Sequence, residues 1–358
     1  MDATTRKAPP AALTSFVVGS RYMPVYIALL LLLIVASIWA PATLSGVALR
    51  AIAPYGAVLG IAALGQMLVI MTGGIDLSVP GTMSLAAVIV VGVGEGSDER
   101  IWLAIATALV AAAIVGLVNG LLIGALRLNA LIVTLAVGLI VVGVVNRLGA
   151  RSPVQSPVPE ALSRWTSTRI LGVSPVLWIG IALTILLIVG LRYTTVGRRF
   201  QAVGANPVAS HVVGVRVNVH QVLVFVVAAI LYAIAGTALA GLLRTPGVSI
   251  GTQYLLGPIA AVVIGGASLT GGLASPLSTF AAALFLTGLN QMLRTMGLPT
   301  SLQFIVFGLV IIGGMLVSGD RIVRGVEHLF RERRRRDRTE EVALAGTAEE
   351  RTWKEGGM

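Results

Sequence analysis

Apolar residues in this chain come in long unbroken runs separated by short polar breaks, and that pattern predicts helices sized for a lipid bilayer. A bilayer-spanning helix needs about 20 mostly apolar residues. Runs near that length lie at Pro24 to Ala40, Gly56 to Thr72, Val79 to Gly94, Ile101 to Leu126 and Leu131 to Val145. They continue at Val176 to Leu191, Gln221 to Leu243, Pro276 to Leu293 and Ser301 to Val317. Between them, Leu255 to Ile264 is too short to cross alone and reads as part of a broken helix. The expectation is an all-α, polytopic transmembrane bundle of about ten spans. The first run, behind a short leader with Arg6, Lys7 and Arg21, reads either as a retained anchor or as a signal peptide; we take it as an anchor, since Pro41 directly follows Ala40.

Three organisational units follow: a cytoplasmic leader (1–23), a transmembrane domain (24–317) containing a connecting segment (194–217), and a basic cytoplasmic tail (318–358). Asn146 to Pro175 carries four Pro and is read as an external loop, with room for a short helix.

Composition agrees with the runs. Of 358 residues, 56% are hydrophobic and 11% charged, against roughly 25% charged in a soluble domain. The net charge of +11 comes almost wholly from Arg; Lys7 and Lys354 are the lysines. A basic chain raises nucleic acid as a partner, but no basic face interleaved with aromatics is present, so none is expected. The cations follow membrane topology instead, since Lys and Arg collect in cytoplasmic segments. Arg192 to His220 holds Arg192, Arg198, Arg199 and Arg216 with no acid, and eight Arg lie between Arg321 and Arg338. Placing both inside puts both termini in the cytoplasm and the acidic turn Glu95–Asp98–Glu99 outside. The basic part of the tail then meets anionic lipid heads, and its acidic end from Thr339 reads as disordered.

Catalytic and metal chemistry find no footing. There is no Cys, and His211, His220 and His328 form no ligand cluster. The phosphate-cradling pattern G-x-x-x-x-G-K-[ST] is absent, so ATP-driven work would need another polypeptide.

Two interruptions stand out. Met71-Thr-Gly-Gly-Ile-Asp-Leu-Ser-Val-Pro-Gly81 breaks an apolar stretch. Gly73 and Gly74 permit unusual torsions, and Asp76 or Ser78 can cap the helix that Pro80 opens. Asp76 is open to two readings: a buried cap, or an ionisable functional group at membrane depth. The second interruption is the connection 194–217. Asn206-Pro207 reads as a helix start ending at Gly214, giving either a short element that docks into a partner or an ordinary interfacial helix. A fainter echo links Gly73-Gly74-Ile-Asp-Leu-Ser78 with Gly265-Gly266-Ala-Ser-Leu-Thr270. Gln66, Asn119, Thr134, Asn290, Gln291 and Gln303 are polar residues in apolar runs, suited either to line a path for an uncharged polyol or to bond helices together.

At these residues the chain resembles a known family. Gly197-Arg198, Ala202-Val203-Gly204, Asn206-Pro207, Ala209 and Gly214-Val215 resemble the coupling segment of ribose-type permeases of ABC importers. Gly74-Ile-Asp76-Leu-Ser78 resembles a second signature of that family. Ile264-Gly-Gly-Ala-Ser-Leu-Thr-Gly-Gly272 resembles a third, shared with branched-chain amino-acid permeases. The resemblance implies the permease subunit of an importer for a small polar solute, most simply a monosaccharide. It implies a second permease copy, two ATPase subunits carrying ATP and Mg, and an extracytoplasmic solute-binding protein, in a bacterial inner membrane. Gly197, Arg198, Gly204, Asn206, Pro207, Ala209, His211 and Gly214 would then couple to the ATPase. Gly74, Asp76, Ser78, Gly265, Gly266 and Ser268 would act in translocation and gating, with Gln66, Asn119, Asn290 and Gln291 on the solute path. Ser210-His211 stands where the family commonly has Ala followed by Ala or Arg, and Pro80 where it often has Gly. The other class of function, an ion-coupled secondary transporter, would rest on Asp76.

Overall fold

The computed structural model describes residues 21–150 and 157–318. Residues 1–20 and 319–358 lie outside it, and with them most of the expected leader and nearly all of the basic tail. Within it the chain is helical, with no strands among the described residues beyond one bridge between Ile170 and Val173.

Each apolar run becomes a helix, in chain order α1 (Met23–Trp39), α2 (Gly46–Met71), α3 (Val79–Gly94), α4 (Ile101–Gly120, running into a π turn at Leu121–Ala125) and α5 (Ala130–Gly149). The Pro-rich loop contains the short α6 (Glu160–Ser167), followed by α7 (Pro175–Tyr193). The connection folds as α8 (Thr195–Ala205) and α9 (Pro207–Val212) before α10 (Val217–Leu243). The set closes with α11 (Gly257–Ile264), α12 (Pro276–Thr295) and α13 (Thr300–Ser318).

Among the described residues, five helices are long and apolar enough to cross a membrane: Gly46–Met71, Asp98–Ala125, Ala130–Gly149, Pro175–Tyr193 and Val217–Leu243. The shorter apolar helices include α1, α3 and a stretch ending with α11. α11 has only eight residues, about 12 Å of rise. The chain before it, from Arg244, passes through turns and a 3-10 turn at Thr252–Tyr254 and meets α3, where Gly251 N–H donates to Ser84 Oγ at 3.0 Å. The expected broken helix is therefore a turn-rich arm, with one 3-10 turn at Thr252–Tyr254, plus a short helix.

α2 and α10 form the centre. Tyr232, Ile61, Leu64, Met67 and Leu239 are fully buried there, while α5 and α7 present Ile132, Leu139, Ile140, Ile185 and Leu186 outward. Such an apolar exterior suits lipid. Small residues let the helices close up. A methyl group at Gly120 of α4 would lie 2.7 Å from Val222 Cα of α10, and one at Gly116 would overlap the Phe225 carbonyl oxygen. Since backbone cannot yield as a side chain does, Gly116→Leu is expected to cost about 1–3 kcal/mol by overpacking, read as a lower melting temperature of the detergent-purified chain.

The two ends of the bundle differ in charge. At one end Asp98 accepts from Ala161 N–H and from Arg164 (3.0 Å), Glu95 pairs with Arg100, and Val158 N–H donates to the Arg244 carbonyl at 2.9 Å. The other end gathers Arg127, Arg192, Arg198, Arg199 and Arg216. The carboxylates of the described residues are Asp76, Glu95, Asp98, Glu99 and Glu160. All but Asp76 belong to the first end, and Asp76 is buried.

Candidate translocation and coupling site

α2 stops at Met71 because Gly73, at φ +82°, turns the chain left-handed. Gly73 N–H bonds to the Ile70 carbonyl and Gly74 N–H to the Val69 carbonyl, the hydrogen-bond pattern of a glycine-terminated helix. The chain then folds back beside α2. Gln66, five residues before the helix end and so about 7.5 Å along the axis, lies level with Asp76. With the Gln66 amide oriented to satisfy its neighbours, its oxygen accepts from Asp76 N–H at 3.1 Å. Its nitrogen donates to the Asp76 carbonyl and the Tyr232 hydroxyl, each at 3.1 Å. The glutamine pairs with the Asp76 peptide groups as a strand neighbour would, which solves the problem of irregular backbone in an apolar interior.

The Asp76 side chain completes the turn. Its Oδ1 accepts from Ser78 N–H at 2.8 Å and from Ser78 Oγ–H at 2.6 Å. Ser78 Oγ in turn accepts from Asn119 Nδ2 of α4 at 3.0 Å. Leu77 N–H donates to Thr134 Oγ1 of α5 at 2.9 Å. Gln66, Asp76, Ser78, Asn119 and Thr134 are all buried. The segment is thus tied by hydrogen bonds to α2, α4 and α5, and through Gln66 to Tyr232 of α10, with Asp76 as a cap reaching two residues forward.

Gly265 and Gly266 end α11 in the same way. Gly266 has φ +83°, and Gly266 N–H and Ala267 N–H bond to the Val263 and Val262 carbonyls. By this geometry Gly73 matches Gly266, one position away from the match that the sequence echo suggests. Ser268 lies in the following turn, where its N–H donates to the Leu273 carbonyl at 2.9 Å and its hydroxyl meets Thr270 Oγ1 at 2.8 Å.

The connection 194–217 meets both interruptions. Thr194 caps α8 by accepting from Gly197 N–H at 3.0 Å, and Gly197 lies against the backbone of Gly190 and Leu191 in α7. At the far end of α8, Gly204 lies against the Met71 carbonyl, where even a methyl group would overlap the oxygen. That carbonyl accepts from Gly272 N–H at 2.8 Å, and a methyl at Gly271 would sit 2.6 Å from the Gly204 carbonyl oxygen. Three chain segments therefore touch backbone to backbone: the end of α2, the end of α8 and the turn after α11. α9 follows at once. Asn206 caps it by accepting from Ala209 N–H at 3.0 Å, and Gly214 (φ +82°) ends it. Ser210 is buried, whereas Val208, His211, Val212 and Val213 are exposed. Arg198 is also exposed.

Asn290 and Gln291 stand apart from this centre, partly exposed on α12; Gln303 Nε2 donates to the Leu298 carbonyl at 2.8 Å. The sequence does not single out Tyr232, and it marks Gly271 and Gly272 only as the end of the Ile264–Gly272 signature, with no role of their own. Tyr232 is, with Thr237, a hydroxyl-bearing residue in the apolar run Gln221 to Leu243, and that is its available signal. The glycine contacts carry none, because they join segments far apart in the chain.

No group of His, Cys, Asp and Glu among the described residues could hold a metal ion.

Comparison with known proteins places these features in context. Residues 48–315 match the family model described as branched-chain amino acid transport system / permease component. The ribose import permease protein of Escherichia coli strain K12 is 33% identical over 298 residues, 82% of this chain and 92% of that protein. The autoinducer 2 import system permease protein of Enterobacter sp. strain 638 is 33% identical over 303 residues, 84% of this chain and 87% of that protein. The galactose/methyl galactoside import permease protein of E. coli K12 is 29% identical over 331 residues, covering 87% and 97%. No solved structure matches the chain.

Proposed function

The chain belongs to the family of branched-chain amino acid transport system permease components, and from that premise we propose that it is the membrane-spanning permease subunit of a bacterial ABC importer for a small neutral polar solute, a monosaccharide or similar furanose. The relatives above are named for import of ribose, of autoinducer 2 and of galactose or methyl galactoside. The observation that carries the mechanism is the three-way junction at Gly204. α9 exposes an apolar tip of Val208, Val212 and Val213, suited to a groove in an ATPase subunit. α8, one residue behind it, presses on the ends of both interrupted elements. Movement of α9 by the ATPase then reaches the Asp76 segment and the Gly265–Gly272 turn without passing through flexible side chains. The ATPase pair supplies ATP and Mg, an extracytoplasmic binding protein supplies the solute, and a second permease copy completes the pore.

The charge difference between the ends supports an orientation in the inner membrane with 194–217 and both termini in the cytoplasm and about ten crossings, α11 and its arm counting as one. In this reading Gln66 and Asn119 hold the wall of the path, and Asn290 and Gln291 are the amides left to meet solute. Asp76 is committed to its turn, which disfavours the ion-coupled alternative.

The test is uptake by cells expressing the chain with its genomic neighbours. Solute accumulation should vanish on ATP depletion and survive an uncoupler, with an ATPase co-purifying. Uptake that an uncoupler abolishes while ATP is maintained would overturn the proposal.

A further inference from the structure

Beside α9, whose Val208, His211 and Val212 help to line it, lies a cavity of about 820 Å³ bounded by the Asp76 segment, the turn joining α4 to α5 and the start of α10. Three cationic or cation-capable side chains line it: Arg127 from the turn, His211 from α9 and Arg216 before α10. Apolar side chains share the lining, among them Ile123, Leu128 and Phe225. No carboxylate lines it, and among the described residues neither Arg127 nor Arg216 has a salt-bridge partner. The shortage is general at this end of the bundle, since the sequence holds no acid between Glu99 and Glu160 or between Glu160 and Asp320. A second cavity on the other side of Arg216 adds Arg199. Among the described residues, no carboxylate stands as a countercharge to these Arg.

We propose that this cavity seats an anionic phospholipid, its phosphate held between Arg127 and Arg216 and its acyl chain along Ile123, Leu128 and Phe225. Both parts of the lining matter. Basic pockets between membrane helices on the cytoplasmic side take anionic headgroups, whereas a free phosphate would have no use for the apolar side chains. The cavity also joins α9 to Thr72, Gly73 and Gly74. A lipid there braces the coupling element against the interrupted helix, so the membrane's anionic content would tune coupling. Only the choice of leaflet rests on the orientation proposed above; the headgroup preference does not.

Native mass spectrometry of the full chain, exchanged into phosphatidylglycerol or phosphatidylcholine, tests this without any variant. One phosphatidylglycerol should stay bound where phosphatidylcholine does not. Removing charge by R127Q or R216Q should weaken retention roughly fivefold for each Arg, at about 1 kcal/mol per cation. R192Q, on the same face but outside the cavity, should leave it unchanged. Equal retention of the two lipids, or unaltered retention in R127Q and R216Q, overturns the proposal. So does displacement of phosphatidylglycerol by inorganic phosphate alone, which would mark a plain anion site. Exclusion of the lipid in the assembled complex by an acidic ATPase segment cross-linked to these Arg would overturn it as well. Transport failure with normal lipid discrimination would count against the importer reading and leave this one standing.

Discussion

Gly204→Val should leave a chain that inserts, purifies and melts close to normal, yet with ATP hydrolysis no longer stimulated by solute-loaded binding protein and with uptake reduced to background. The residue occupies no apolar core. It lies where α8 abuts the Met71 carbonyl, and any Cβ there overlaps that oxygen. The obstacle is backbone, so relief must come from moving α8 or from breaking the bond between Gly272 N–H and the Met71 carbonyl. Either response separates the coupling element from the two interrupted segments, while the helices on which folding depends keep their contacts. Gly204→Ala should show the same defect, because the first methyl already overlaps. Gly214 gives the contrast. It ends α9 at φ +82° with nothing within 4 Å of an added methyl. Gly214→Ala therefore faces only the left-handed backbone penalty, about 1–2 kcal/mol, and should retain most of the stimulated hydrolysis. Equal and near-normal hydrolysis in the Gly204 variants would remove the junction from the mechanism. A Gly204 variant that cannot be purified folded would show that the contact serves folding instead.

Much of this arrangement is visible in the sequence, and what is not visible follows a pattern. The helices are legible because each run of apolar residues is bounded by a break with a local cause: Asn129 and Ser174 capping α5 and α7, and Gly73, Gly214 and Gly266 ending others. The α8–α9 pair is legible for the same reason, since Asn206-Pro207 is a local helix start. The short α11 is foreseeable from length, but the turn-rich arm before it is not, because its Gly251 N–H finds its partner on α3, far away in the chain. The same limit applies at the centre. Gln66, Asn119 and Thr134 are recognisable as unusual polar residues in apolar runs. Their convergence on one seven-residue turn is a property of packing between α2, α4 and α5, and spacing along the chain cannot distinguish it from three residues facing a pore. Gly204 is marked by its motif, yet its partner Met71 is an ordinary apolar helix residue without sequence signal.

Asp76→Asn should transport within about threefold of the parent chain, a difference of about 0.6 kcal/mol, whereas Asp76→Ala should fail. The carboxyl group's contribution is an acceptor oxygen. Oδ1 takes the N–H and the hydroxyl of Ser78, and Ser78 Oγ takes the Asn119 amide, so one oxygen anchors a chain of bonds from the turn to α4. An asparagine oxygen can occupy that position and accept both bonds. An alanine leaves a buried N–H and a buried hydroxyl without their acceptor, at about 1–3 kcal/mol each. Since Ser78 directly precedes α3, that loss loosens the start of a helix packed against α4, α5 and α10. The Ala variant should accordingly lose several degrees of melting temperature along with uptake, while the Asn variant stays near the parent on both measures. Uptake abolished in an Asp76→Asn chain of parental stability would give the carboxyl group a role that capping does not explain. If that loss came with sensitivity to an uncoupler, ion coupling would become the better account. Retained uptake in Asp76→Asn, still driven by ATP, leaves Asp76 as the residue that lets an interrupted helix exist at membrane depth, held where α8 can push on it.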